Sequence, residues 1–366
     1  MRKLRWGTLL LLLAAVVVGR AEAGDAPAPA SHVPEGFPAD PLLYVCVQDE
    51  ARVAVVDMES RRIVDVVDLV ELGFSDRSMP HDIAVEPDGS HWYVSLIGQD
   101  RVLRFDRDNR LVGELEMETP GMLDFHPTED LLVISRSMSA VSPPSRVGVA
   151  RASAMELEEV DVLFSRPHGI VMGPHGRFAY TASLGANQIA SVELGTHRVE
   201  VVDVEGPPHA FVQFAVSPNG EFLVASGELS GELVVFELSA PDRPAFVTSL
   251  RVGQIAFDPY FTPDGREIWV PIKGENRLAI VSVEDWEVVD EVNGDALLQP
   301  HAIRFSDDGS HAFVTTNNRS PHAMHHPAEE GGDPGALVIV ETETRRVVEV
   351  IELGRNVTGL GHRLLR

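Results

Sequence analysis

From Leu42 onward, apolar and polar positions alternate in short runs: LLYVCV at 42–47, HWYVSL at 91–96, RVLRF at 101–105. A period of two puts successive side chains on opposite faces of an extended strand. Gly, Pro, Asp and Asn close the runs, and no segment after residue 40 sustains the apolar spacing of an amphipathic helix. A tight Pro-Asp-Gly turn links many neighbouring runs, as at 87–89 and 263–265. The pattern predicts an all-β chain.

The runs recur with a period of about 40–47 residues, which in β-sequence predicts propeller blades. PHDIAVEPDGSHWYVS begins at Pro80, PHGIVMGPHGRFAYTAS at Pro167 and PHAIRFSDDGSHAFVTT at Pro300. In each, the first turn residue falls six positions after the histidine: His81 to Pro87, His168 to Pro174, His301 to Asp307. Weaker copies begin at Pro120, at Ile255, and at Pro208 with three extra residues. Each copy predicts four antiparallel strands, and six complete blades lie between Pro80 and Leu353. Residues 42–69 carry second, third and fourth strands without a first, and the C-terminal NVTGLGHRLLR carries a lone first strand. The two ends are expected to share a seventh blade, closing the ring and removing the open sheet edges. Residues 41–366 therefore read as a seven-bladed β-propeller of four-stranded antiparallel blades.

This repeat resembles that of YVTN-type β-propeller proteins, with the tetrapeptide itself read here as YVCV, YVSL, YTAS, WVPI and FVTT. The resemblance covers residues 41–366 and implies the propeller fold. It leaves function open, because related propellers include surface-layer proteins, lactonase-like proteins, haem d1 propellers and the propeller of nitrous oxide reductase.

Residues 1–23 read differently. Arg2, Lys3 and Arg5 precede an apolar run from Thr8 to Gly19, and Ala21-Glu22-Ala23 has the form of a signal-peptidase site. That order predicts a Sec-type secretory signal peptide, hence a periplasmic or secreted protein with no membrane span after cleavage. Residues 24–40, rich in Pro, Ala and Gly, read as a flexible leader. The chain has 56 acidic and 30 basic residues, a formal charge of −26. Such an acidic surface repels phosphate backbones and excludes nucleic acid as an expected partner. The single cysteine, Cys46, excludes a disulfide framework and any cysteine-rich metal centre; its alignment with Ser95, Ala182, Ala225, Pro271 and Thr315 marks a small-residue position in the second strand, read as a buried packing thiol.

The candidate chemistry lies in the histidines. In a propeller the first strand of each blade lines the central channel, and the residue at its start sits at one channel mouth. Aligned on Pro-His, that position is read as His81, Gly121, His168, His209, His301 and His362, with no histidine in the blade around Ile255–Tyr260. Five imidazoles converging on one axis suit a late transition metal or a small anionic ligand. The nitrous oxide reductase propeller, which holds a copper cluster with histidines around its channel, makes copper the favoured metal by resemblance. Its cysteine-bearing electron-entry domain has no counterpart here, so nitrous oxide reduction is not expected. An insertion at Asn317–Gly335 on the same face adds His322, His325 and His326 as lid ligands. His91, His126, His175, His197 and His311 fall at turns or strand starts and are discounted. No G-x-S-x-G elbow, phosphate loop or HExxH helix is present. Three functions fit: a metal-binding propeller in metal handling or as a redox accessory, a metal- or haem-dependent oxidoreductase, and a protein-interaction scaffold whose top face binds a partner and whose histidines are structural.

Overall fold

The computed structural model describes residues 41–137, 142–318 and 334–363. Residues 1–40, which hold the expected signal peptide and leader, and the lid histidines His322, His325 and His326 lie outside the described residues. Among the described residues no helix is long and apolar enough to cross a membrane.

Seven four-stranded antiparallel sheets form the blades. Blade 1 joins Leu42–Val47, Arg52–Asp57 and Arg62–Asp68 to the C-terminal strand Val357–Arg363, which is its inner strand. The ladder runs Leu43 to His362, Tyr44 to Gly361 and Val45 to Leu360, so the expected closure of the two ends is found. The inner strands of blades 2 to 7 are Pro80–Val85, Pro120–Phe125, Pro167–Met172, Phe211–Val216, Tyr260–Phe261 and Pro300–Phe305. Successive inner strands pack around a ring, with Val357–Arg363 lying between Pro80–Val85 and Pro300–Phe305.

The core is distributed between blades. Trp92 and Phe105 of blade 2 pack on Tyr44 and Val55 of blade 1, Ile268 and Val270 of blade 6 on Val224 and Val235 of blade 5, and Phe313 and Leu337 of blade 7 on Leu43 and Leu360. This is what the period-two pattern dictates: both faces of each middle strand are apolar because a neighbouring blade covers each face. The first-to-second-strand turns carry glycines at φ 65–73° (Gly89, Gly176, Gly220, Gly265, Gly309), a left-handed position that a side chain resists.

One local feature sets the site. A left-handed residue opens each inner segment, at φ 44–58°: Met79, Thr119, Arg166, Ala210, Gln299 and Asn356 stand directly before their strands, and Ile255 stands five residues before Tyr260. The ladder to the second strand then skips two residues, as between Pro80 and Ile83, a bulge repeated at Pro120, Pro167, Phe211 and Pro300. Bulged residues leave the ladder, and their side chains can be aimed elsewhere. Their N–H groups need other acceptors: Asp82 N donates to Ser95 Oγ at 3.2 Å, Met122 N to Ser135 Oγ at 2.8 Å and Ala302 N to Thr315 Oγ1 at 3.1 Å. The small-residue position that holds Cys46 in blade 1 thus holds a capping hydroxyl in blades 2, 3 and 7. Cys46 is fully buried, and burial pushes its thiol well above the usual range.

Candidate metal and ligand sites in the channel

The second residue after each left-handed position is His81, Gly121, His168, Val212, Phe257, His301 and Thr358. Three of the five expected histidines share this layer. The rings of His81 and His168 lie 6.4 Å apart, and those of His81 and His301 6.3 Å apart. All three are buried.

The other two correct the sequence reading. His209 precedes the left-handed Ala210 and falls in the connection to blade 5; Val212 occupies the mouth layer. The three extra residues of that copy displace the histidine instead of lengthening the strand. His209 is a packing residue: its ring stacks on Phe211 at 4.8 Å, its Nδ1 lies 3.0 Å from Ser230 Oγ, and its backbone N–H donates to Asn187 Oδ1 at 2.9 Å. His362 is displaced the other way. Thr358 holds the mouth position of the C-terminal strand, and His362 lies further along, lining the opposite half of the channel near Tyr260 at 6.4 Å.

Each mouth imidazole has a defined environment. His81 Nδ1 is 3.0 Å from Gln48 Oε1, and His168 Nδ1 is 2.7 Å from the Val212 carbonyl. A ring nitrogen facing an acceptor carries the proton, so in His81 the Nε2 carries the lone pair. His81 Nε2 and His301 Nδ1 are buried without a hydrogen-bond partner among the described residues. Phe257 flanks His301 at 4.8 Å, and the Lys273 ammonium sits 4.4 Å from the centre of the Phe257 ring. Burial, with smaller contributions from His168 and Lys273, pushes the His81 pKa down to about 3; burial, Lys273 and the other two rings hold His301 well below its usual range. Both are neutral imidazoles at physiological pH. Among the described residues no group of three or more His, Cys, Asp or Glu side chains is gathered closely enough to hold a metal as it stands.

Beneath the histidines lie carboxylates that the sequence reading passed over. Asp82 and Asp258 hold the next position after that layer, and Asp124 lies two further along in blade 3. Burial pushes Asp82 up to about 7, Asp258 to about 7 and Asp124 to about 6. The Arg304 guanidinium acts against the rise in all three. Asp82 Oδ2 accepts Leu123 N–H at 2.8 Å; Asp124 accepts Phe125 N–H at 2.9 Å and Met172 N–H at 2.6 Å. Asp258 differs, because its buried Oδ1 has no partner among the described residues. The signal for these groups is an acid inside an apolar inner-strand run, HDIAV, MLDF and AFDPYF.

Comparison with known proteins gives the fold and no more. No family model matches the chain, and no curated protein matches it. Among solved structures, a functionally unknown protein from Desulfotomaculum acetoxidans superposes with a TM-score of 0.71 at 12% identity, covering 89% of this chain and 99% of its own. Hydrazine synthase from Kuenenia stuttgartiensis superposes at 0.62 and 15% identity, covering 80% and 96%. At such identities the likeness shows a shared fold alone, which this chain's own sheets identify as a seven-bladed β-propeller.

Proposed function

We propose that the chain is an exported, YVTN-type propeller that binds one transition-metal ion, copper foremost, at the channel mouth through His81, His168 and His301. The observation that carries this reading is His81: Gln48 fixes its Nδ1, and its Nε2 lies buried, without a partner among the described residues, beside the rings of His168 and His301. An acceptor on one ring nitrogen orients the other and raises its basicity, which is how metal-binding histidines are held. A buried imidazole kept neutral needs no deprotonation before it binds. The Irving–Williams order places copper ahead of its neighbours for nitrogen ligands. Three imidazoles around one ion, each with a metal–nitrogen distance of about 2.0–2.1 Å, put ring centres roughly 5–5.5 Å apart. Binding therefore draws the rings inward by about 1 Å from 6.3–6.4 Å. Three ligands leave a coordination position open towards the mouth, where a small molecule can reach the metal.

Copper analysis of the full-length product, loaded with Cu(II) and freed of excess, tests the reading, with electron paramagnetic resonance to report nitrogen ligation. About one copper per chain with a nitrogen-coupled spectrum is expected for the wild type, and none for His81→Ala/His301→Ala. A wild type that retains no copper, or a double variant that retains all of it, sinks the metal reading. Export is tested separately by the mass of the protein in cell fractions, the expected N-terminus being Gly24.

A further inference from the structure

The far half of the channel holds a second arrangement, independent of the metal reading. A cavity of about 630 Å³ opens between the Pro-Asp-Gly-type turns, rimmed by Pro87, Pro127, Pro218 and Pro263. Its volume lies within the range of small-molecule sites. The walls are apolar, among them Val85, Phe125, Met172, Val216 and Phe305. Arg304 enters at mid-depth, its guanidinium 4.6 Å from the centre of the Tyr260 ring. Its neighbours at that level include Ala84, Val171, Ala215 and Gly361, which leave room beside it. Arg304 Nη1 donates to the Ile303 carbonyl at 2.7 Å, and among the described residues no carboxylate stands within ion-pair distance of the guanidinium. Asp258 closes the inner end; its Oδ1 is buried behind that wall, without a partner among the described residues.

These features define complementary chemistry. An arginine stacked on an aromatic ring presents a pre-organised fork for a carboxylate. A buried carboxylate oxygen without a partner calls for a hydrogen-bond donor. Asp124, which also lines the cavity, already accepts two backbone N–H groups and does not compete for that donor. A dianionic phosphate is disfavoured, because Asp124, Asp258, Asp307 and Glu86 share the cavity lining with a single arginine. We infer that this cavity binds a small carboxylic acid with a hydrogen-bond donor on its α-carbon and an apolar flank, an α-amino or α-hydroxy acid. The carboxylate pairs with Arg304, the donor reaches Asp258 Oδ1, and the flank lies against Phe125, Met172 and Phe305.

Isothermal titration of the full-length protein with L-phenylalanine, L-phenyllactate and 3-phenylpropionate tests this, with EDTA present so that a metal at the opposite mouth has no influence. Saturable binding is expected for one or both of the first two. 3-Phenylpropionate, which leaves Asp258 unpaired, should bind at least about tenfold more weakly. This comparison uses the unmodified protein and survives any failure of a variant to fold. Arg304→Gln should weaken the binding acid by about tenfold or more while the protein melts cooperatively. Asp258→Asn separates the sources: it should weaken an ammonium ligand and spare a hydroxyl ligand, which the amide oxygen still accepts. No saturable heat from any of the acids up to about 10 mM, equal affinity for 3-phenylpropionate, or full affinity in a folded Arg304→Gln protein overturns the proposal and leaves the cavity to water.

Discussion

If ring closure depends on the C-terminal strand, shortening a single side chain there should weaken the whole molecule. Leu360 is the sharpest probe. It is completely buried, pairs with Val45 across the first and last strands, and packs with Leu43, Phe313, Leu337 and Val357 at the junction of blades 1 and 7. Truncating a buried leucine costs the transfer free energy of the lost atoms and a cavity term, roughly 3–5 kcal/mol in all. The backbone leaves little room for collapse, since Thr315 Oγ1 donates to Thr358 O at 2.6 Å and Thr358 Oγ1 to His81 O at 3.3 Å, holding the strand from both sides. The upper part of the range is therefore expected. At about 2 °C per kcal/mol for a domain of this size, Leu360→Ala should lower the melting temperature by roughly 8–10 °C. Leu229→Ala, at a side chain 71% exposed, is the control and should stay within about 0.5 kcal/mol of wild type. Calorimetry measures both. A shift below about 2 °C for Leu360→Ala, or a protein lacking residues 356–366 that melts like the full chain, refutes closure as a keystone of stability.

Three further outcomes follow from the channel and its flanks. His209→Ala and His362→Ala should leave copper stoichiometry unchanged, because neither ring stands in the mouth layer; loss of copper in either, measured on the loaded protein, contradicts the layer assignment. The Asp258 pKa is raised from 3.8 to about 7 in the folded state, so its protonation stabilises the fold fully below the unfolded value, and that contribution is lost as pH rises through 7. Asp258→Asn should therefore gain on the wild type by a few kcal/mol between pH 5 and pH 8; melting curves with a constant gap across that window count against the buried carboxylate. Ellman's reagent should label no thiol in the native protein and one after denaturation, since Cys46 is fully buried and its thiol is pushed well above the usual range.

Much of this architecture is legible in the residue pattern, and the misplacements have an identifiable cause. The shared blade can be read because the ends lack complementary strands. Pro-His misplaces the mouth layer at two blades, because the left-handed residue and not the histidine sets the register. A better mark lies in the sequence: the first turn residue falls six positions after His81, His168 and His301. The same count from Pro127, Pro218 and Pro263 leads back to Gly121, Val212 and Phe257, the residues that the structure places in that layer. The carboxylates are harder to find. With 56 acids in the chain, composition singles out none, and only their placement inside apolar inner strands separates Asp82, Asp124 and Asp258 from surface charge.

That placement has a structural origin, which also explains why Asp258 stands apart. Inner strands of neighbouring blades belong to different sheets, so their channel-facing N–H groups have no ladder partner across the gap. An unpaired buried N–H costs about 1–3 kcal/mol. Side-chain acceptors fill the need: Asp82 takes Leu123 N–H, Asp124 takes Met172 N–H, and Gln213 Oε1 takes Ile170 N–H at 3.1 Å, each joining two adjacent blades. Asp82 and Asp124 are therefore fasteners, and burying them is offset by the N–H groups they satisfy. Asp258 makes no such bridge among the described residues, and its inner strand shortens to Tyr260–Phe261 after Pro259 removes a donor. Only the charges of Arg304 and Lys273 act against the desolvation of this carboxylate, and no N–H group among the described residues satisfies its Oδ1, the acceptor that the proposed ligand's donor would meet.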